Sequence, residues 1–329
     1  MIPLSVLDLV PVREGGSVGE ALDISARTAA AAEKAGYNRY WVAEHHGMEG
    51  IAGGATSVVL AHIGHATSSI RIGAGGIMLP NHNPYVIAEQ FGTLDALFPG
   101  RIDLGLGRAA GADGRLAYAL RKDIVKASET FPNDVVELRA RFAGDPAAGV
   151  AAPQAAGAQV QMWILGSSLY GAQLAAMLGL PYAFASHFAP TLLDQAAAIY
   201  RERFEPSETL DKPHFMAAIN VITAESDDEA RYLASTNEQA FVALRTGTPG
   251  RMKPPIRNYR DSLPDVALAM LDQMRSVSAI GSPETVREGI VAFVARTQAD
   301  EIIISGSTYD PDAQIRSVEL TMAAVGQQS

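Results

Sequence analysis

Short runs rich in β-branched and apolar residues alternate with helix-length, alanine-rich segments from one end of this 329-residue chain to the other. Parallel strands need crossover connections of helix length, so this alternation predicts a parallel sheet wrapped by helices. The strand candidates are residues 3–9, 39–43, 70–75, 102–106, 161–165, 182–186, 215–223 and 301–305, which makes eight. Helix candidates occupy 19–35, 55–67, 85–97, 169–178, 191–204, 227–244 and 284–297. Ser282-Pro283-Glu284 supplies a cap, a first-turn proline and a first-turn acid for the last of these. Eight βα units can close a barrel, whereas an open doubly wound sheet carries phosphate-binding glycines directly after its first strand. Here Leu9 is followed by Val10-Pro11-Val12-Arg13-Glu14-Gly15-Gly16-Ser17, without that fingerprint. The expectation is an α/β fold, a (β/α)8 TIM barrel forming a single domain over residues 1–329.

Two stretches interrupt the alternation. Residues 144–158 are rich in alanine, glycine and proline, and residues 245–264 hold four prolines with Arg245, Arg251, Lys253, Arg257 and Arg260. Both read as loop excursions, because a last βα unit lies beyond them and must return to close the sheet. Long loops without regular structure are usually functional, and the second is expected to be a mobile lid over the site.

Composition removes several function classes. A net charge of -10 repels phosphate backbones and anionic lipid, which argues against nucleic acid or a membrane surface as partner. The absence of cysteine excludes disulfides, thiolate metal sites, iron–sulfur clusters and a cysteine nucleophile. Without a basic leader at the amino end or an apolar run of membrane length, the chain is expected in the cytoplasm.

In such a barrel the active site lies at the carboxyl ends of the strands. After the second run come Glu44-His45-His46, after the third Gly75-Gly76, after the fourth Gly107-Arg108, and after the fifth Gly166-Ser167-Ser168. A neutral imidazole suits proton exchange near pH 7, while a buried His at a barrel mouth also serves as a plain hydrogen-bonding group. Adjacent histidines with Glu44 raise a metal reading, but neighbours at a strand end point to opposite sides, so His45 and His46 are poorly placed to share an ion and no metal is expected. Arg108 offers a planar fork of donors, and the Ser pair opens a helix whose free amides favour an anion; together they make a phosphate site, and separately a surface ion pair and an N-cap.

Taken in order, these segments resemble the luciferase-like monooxygenases. The likeness is carried by Ala35-Gly36-Tyr37, Trp41-Val42-Ala43-Glu44-His45-His46, Arg71-Ile72-Gly73, Leu94-Asp95, Gly100-Arg101 and Gly281-Ser282-Pro283-Glu284. Leu165-Gly166-Ser167-Ser168-Leu169-Tyr170-Gly171 and Ser186-His187-Phe188 look like the small oxygenase-type members. The resemblance implies that His45 is the acid-base residue beside the flavin. It further implies that Glu44, Gly75, Gly76, Arg108, Gly166, Ser167 and Ser168 bind FMN, with a non-prolyl cis peptide at Gly75-Gly76 under the flavin ring. It also implies reduced FMN as cosubstrate from a separate flavin reductase, dioxygen, a flavin hydroperoxide that oxidises a small organic substrate, and a homodimer packed through the helices after the second and third strands. Gly47 to Gly54 replaces a more aromatic loop of the light-emitting subunit, which argues against a long-chain aldehyde and light emission. Three alternatives stay open: a deazaflavin-dependent hydride-transfer oxidoreductase on the same fold, a non-catalytic flavin-binding subunit, and a metal-dependent barrel hydrolase.

Overall fold

A computed structural model describes residues 2–108, 114–120 and 123–326. Its strands are β1 (Leu4–Asp8), β2 (Arg39–Val42), β3 (Arg71–Met78), β4 (Ile102–Gly107), β5 (Gln161–Gly166), β6 (Tyr182–Phe184), β7 (Phe215–Thr223), β8 (Ser278–Gly281) and β9 (Glu301–Ser305). The helices are α1 (Val18–Ala35), α2 (Thr56–Ala66), α3 (Pro84–Leu97), α4 (Gly114–Ala119), α5 (Ile124–Ala143), α6 (Leu169–Leu178), α7 (Leu193–Glu202), α8 (Asp227–Arg245), α9 (Asp265–Arg275), α10 (Pro283–Thr297) and α11 (Pro311–Gly326). All strand pairs are parallel, and because β6 bonds β7 while β9 bonds both β7 and β1, the sheet closes into a (β/α)8 barrel.

All eight expected strands are present and form this barrel. The sequence reading missed β8, which bonds the carboxyl half of β7 at Asn220–Thr223, just where the β7–β9 register ends at Asn220. It also missed α5, α9 and α11. The expected cap of α10 is present: Ser282 accepts from the Thr285 amide, with Pro283 in the first turn.

Side chains alternate between two cores, as strand geometry requires. Outward-facing Tyr40, Ile72, Leu104, Ile164, Tyr182 and Phe215 pack beneath the helices. Inward-facing Trp41, Trp163, Ala183, Met216, Ala218 and Ile303 fill the barrel, the two indoles meeting edge-on at 5.2 Å. Below them, at the strands' amino ends, lies a buried polar plug. Arg39 donates to Asp103 and Gln161, each at 2.8 Å, and to Glu301 at 3.0 Å, with its guanidinium 4.8 Å from the Trp163 ring centre. Burial would lower the Arg39 pKa, but Asp103 and Glu301 outweigh it and raise it. The amino end is thereby sealed, leaving the carboxyl end as the open mouth.

One wall of that mouth is the loop between β1 and α1. The Val12 amide donates to the Gly50 carbonyl at 2.9 Å, and Met252 bonds this loop through its amide to Val12 and its carbonyl to Glu14. Buried Arg13 donates to the backbone carbonyls of Thr308 and Tyr309. Residues 245–264, read from sequence as a loose lid, are therefore fastened to this wall: Met252 is buried, Arg251 pairs with Glu49 at 2.8 Å, and Thr236 and Gln239 of α8 hold the Lys253 and Pro254 carbonyls. Among the described residues, no helix is long and apolar enough to cross a membrane.

Candidate active site at the barrel mouth

The residues singled out after the second to fifth strands leave β2, β3, β4 and β5, which are consecutive neighbours in the sheet, so they gather on one side of the mouth. Glu44 is 1% exposed. Its Oε1 accepts from His46 Nε2 at 2.6 Å and His82 Nε2 at 2.8 Å, and its Oε2 accepts from the Met78 amide at 3.2 Å. Burial alone would raise the Glu44 pKa, but the His82 and His46 hydrogen bonds hold it below the ordinary carboxylate range. An ionised carboxylate between two imidazoles requires a hydrogen on each Nε2, which fixes both rings. The ligand atoms of Glu44, His46 and His82 lie within 4.8 Å of one another, a spacing a divalent ion could bridge. They already satisfy one another directly, so the cluster is a hydrogen-bonded knot.

His45 turns away from that knot. Its Nδ1 is buried and, among the described residues, has no hydrogen-bond partner. Burial pushes its pKa below the ordinary 6.5, Glu44 pulls it up and His46 pushes it down, leaving it lowered. A neutral imidazole with an unspent nitrogen is what proton exchange needs. Of the two neighbours, only His46 bonds Glu44.

The Gly75–Gly76 peptide is cis. A shift of the β3–β4 register between Ala74 and Ile77 spans the same place. Glycine is demanded by close approach: a Cβ on Gly76 would sit 2.5 Å from the Gly105 carbonyl oxygen, and one on Gly75 would sit 2.7 Å from Leu7 Cδ1. The result is a side-chain-free ledge beside His45.

Gly166 ends β5, and Ser167 and Ser168 follow it with exposed side chains. Ser168 N-caps α6 without a side-chain capping bond, so its hydroxyl is not spent on the helix. Arg108, at the end of β4, lies with its guanidinium 4.0 Å from the ring centre of Tyr170 in the first turn of α6. A planar cation stacked at a helix start has the donors that an anion would need.

Three contributors were not selected from sequence. His82 follows β3 just past Pro80, where the reading stopped, and only the tertiary fold shows that it meets Glu44. Tyr170 and His187 lie inside the family-like runs Leu165-Gly166-Ser167-Ser168-Leu169-Tyr170-Gly171 and Ser186-His187-Phe188, where no local pattern marks them as site residues. His187 follows β6; its Nδ1 is likewise buried without a partner among the described residues. Burial, then the neighbouring His45, press the His187 imidazole from 6.5 down to about 4. Between those values the unfolded chain binds more protons than the folded one, so this ring's contribution makes stability rise with pH across the window and fall as pH drops from 6.5 towards 4. Thermal unfolding between about pH 4 and pH 8 checks this. His187→Asn should flatten the slope, and an unchanged slope would assign it to other groups.

A closed parallel (β/α)8 barrel with these residues gathered after neighbouring strands at its carboxyl-end mouth has the architecture of the TIM-barrel enzymes. The chain belongs to the luciferase-like monooxygenase family, whose model matches residues 2–301. It is 48% identical over 322 residues to a luciferase-like monooxygenase of Escherichia coli (strain K12), covering 98% of this chain and 96% of the relative. It is 34% identical over 256 residues to the N-acetyl-S-alkylcysteine monooxygenase of Bacillus subtilis (strain 168), covering 75% of each. Among solved structures, apo-MsnO8 superposes with a TM-score of 0.88 at 31% identity, over 100% of this chain and 99% of that one. Two more distant barrels show the fold alone. The oxygenating constituent of 3,6-diketocamphane monooxygenase from Pseudomonas putida, solved in complex with FMN, has a TM-score of 0.71 at 18% identity, over 99% and 98% of the two chains. An F420-dependent secondary alcohol dehydrogenase has a TM-score of 0.70 at 16% identity, over 98% and 99%.

Proposed function

We propose that the chain is a flavin-dependent monooxygenase that uses reduced FMN and dioxygen to oxidise a small organic substrate. The observation that carries this reading is His45: a neutral imidazole with a buried, unspent Nδ1 beside the Gly75–Gly76 ledge. The residues present fit FMN. Gly75 and Gly76 leave the end of β3 without side chains where the ring would rest, and Arg108 with Ser167 and Ser168 offers donors suited to a phosphate. When bound, reduced FMN supplies the electrons that activate dioxygen. The protein's own work is to hold the cofactor, to keep the His45 imidazole neutral and aimed, and to exclude water from the mouth. Glu44, tied to His46, His82 and the Met78 amide, fixes the segment from which His45 projects.

Reduced FMN would come from a separate flavin reductase, as no nicotinamide fingerprint is visible in the sequence. A homodimer through α2 and α3 is part of the same reading. Val58 on α2 and Val86 and Leu97 on α3 are 68%, 44% and 52% exposed, and sedimentation as a monomer at high concentration would refute it. A deazaflavin is the second reading, favoured by the F420-dependent neighbour on the same fold. Titrating the purified chain with FMN and with F420 separates them. Reduced FMN is then supplied anaerobically, mixed with oxygen, and peroxide is measured against oxygenated product from a panel of small compounds. Preference for F420, with hydride transfer and no oxygen uptake, would overturn the proposal.

Arg108→Ala tests the anion cradle. Losing a charge-assisted hydrogen-bonding fork costs about 1.5–3 kcal/mol, so FMN should bind roughly ten- to a hundredfold more weakly. Riboflavin, which lacks the phosphate, should bind wild type and variant alike. Fluorescence quenching with each flavin reads both, and equal losses for the two would move Arg108 off the phosphate.

A further inference from the structure

His45 and His187 follow β2 and β6, which stand on diametrically opposite sides of the closed barrel: β3, β4 and β5 separate them one way, and β1, β9 and β7 the other. Burial lowers the His187 pKa and His45 lowers it further, so the two rings lie within electrostatic reach of each other. Each presents a buried Nδ1 without a partner among the described residues. An unsatisfied buried nitrogen is costly, and two such nitrogens at one barrel mouth mark a place for a ligand to complete.

The His187 imidazole is not needed to hold its own loop. Ser186 Oγ donates to the Ala218 carbonyl, Asn220 Nδ2 donates to the His187 carbonyl at 2.8 Å, and an Arg245 NH2 donates to the Phe188 carbonyl at 3.0 Å. The Arg245 guanidinium also lies 4.6 Å from the Phe188 ring centre and 5.1 Å from that of Phe241. The backbone on both sides is thus fixed by β7 and α8, and the ring itself is left for another task. The glycine ledge and anion cradle lie along β3, β4 and β5, so the space reached from β6 lies beyond the surfaces fitted to the cofactor.

We propose that His187 is a specificity-determining residue whose imidazole, following β6 at the barrel mouth, hydrogen-bonds an uncharged oxygen function, a hydroxyl or carbonyl, of the organic substrate. This deepens the monooxygenase reading and rests on it for the word substrate. Each neutral ring can offer one donor and one acceptor, which suits a hydroxyl or carbonyl.

The test uses the full chain with FMN bound and three probes of one shape: cyclohexanol, cyclohexanone and cyclohexanecarboxylate. The His187 ring resonances are assigned by comparison with His187→Asn and followed by nuclear magnetic resonance, which requires no turnover. The two uncharged probes should shift them and the carboxylate should not. His187→Leu should weaken the uncharged probes about tenfold or more, as expected when a designed hydrogen bond is lost. His187→Asn, which keeps a hydrogen-bonding atom near the place of Nδ1, should recover most of that loss. FMN affinity, measured separately, should stay unchanged in both variants. If His187→Leu does not fold, the wild-type shifts and the Asn variant decide. Silence of the His187 ring with all three probes, a preference for the carboxylate, or an equal loss of FMN would overturn the assignment. Failure to oxygenate anything while the ring still responds would overturn the monooxygenase reading and leave this one standing.

Discussion

His45→Ala is expected to keep FMN binding and to lose the coupling of oxygen consumption to substrate oxidation. The ledge at Gly75–Gly76 and the cradle at Arg108, Ser167 and Ser168 do not involve the imidazole, so affinity should persist within a few-fold. What is removed is a positioned proton donor and acceptor, an effect worth about 10²- to 10⁴-fold in rate. Electrons from reduced FMN should still reach dioxygen, with both oxygen atoms leaving as hydrogen peroxide in place of one entering product. Peroxide and product per reduced FMN, measured in both proteins, decide the matter. Equal product yields would take His45 out of the mechanism, and joint loss of FMN and product would make it a cofactor-holding residue. His46→Ala and His82→Ala should act differently: each leaves Glu44 with one imidazole, loosening the segment, so activity should fall less steeply than for His45→Ala.

The second large effect belongs to the other end of the barrel. Arg39→Met should remove the main counter-charge of Glu301, which is 1% exposed and accepts from Arg39, Asn38 and Ser5. Asp103 keeps Arg71 at 2.6 Å, so the loss falls chiefly on Glu301. Stripping one partner from a buried ion pair costs about 3–5 kcal/mol. In a chain of this size that is roughly a 4–7 °C fall in the unfolding midpoint. In the native protein burial favours protonation of Glu301, but His214, Arg39 and its other donors outweigh it and hold its pKa below the ordinary 4.5. The stability from that depression is present above 4.5 and lost as pH falls through the lower folded value. In the variant the folded pKa rises, so the deficit should be fullest at neutral pH and shrink in acid. Urea unfolding at pH 7 and at about pH 4.5 tests both parts. A pH-independent deficit would assign the loss to packing against Trp163 instead. FMN affinity at low temperature should be untouched.

Much of this architecture was readable because barrel strands are short, buried on both faces and separated by helix-length connections. β8 escaped because Ser278-Ala279-Ile280-Gly281 follows closely on α9 and is a strand only through its bonds to β7. α5 was hidden by Pro132 in its interior and by a sparse apolar stripe. Site residues standing directly after strands were readable one by one. Partnerships were not: His82 meets Glu44 across 38 positions, and Arg39 meets Asp103 and Glu301 across 64 and 262. No local pattern encodes such pairings, since each is made only when the barrel closes. The segment 245–264 shows the same limit, for its prolines announced an irregular path and not its bonds to Val12 and Glu14.

Those bonds, with Arg13 reaching Thr308 and Tyr309 from 295 and 296 residues away, also govern how the protein is made. The loop that walls the mouth leaves the ribosome 295 residues ahead of Thr308, one of its fastenings. Until β9 emerges, β1 has β2 on one side and an open edge on the other. Such an edge invites pairing with other nascent chains. Translation must therefore pass β9 and Tyr309 before this wall of the mouth is fastened, so a chain stopped before them is expected to become a client for chaperones or proteases.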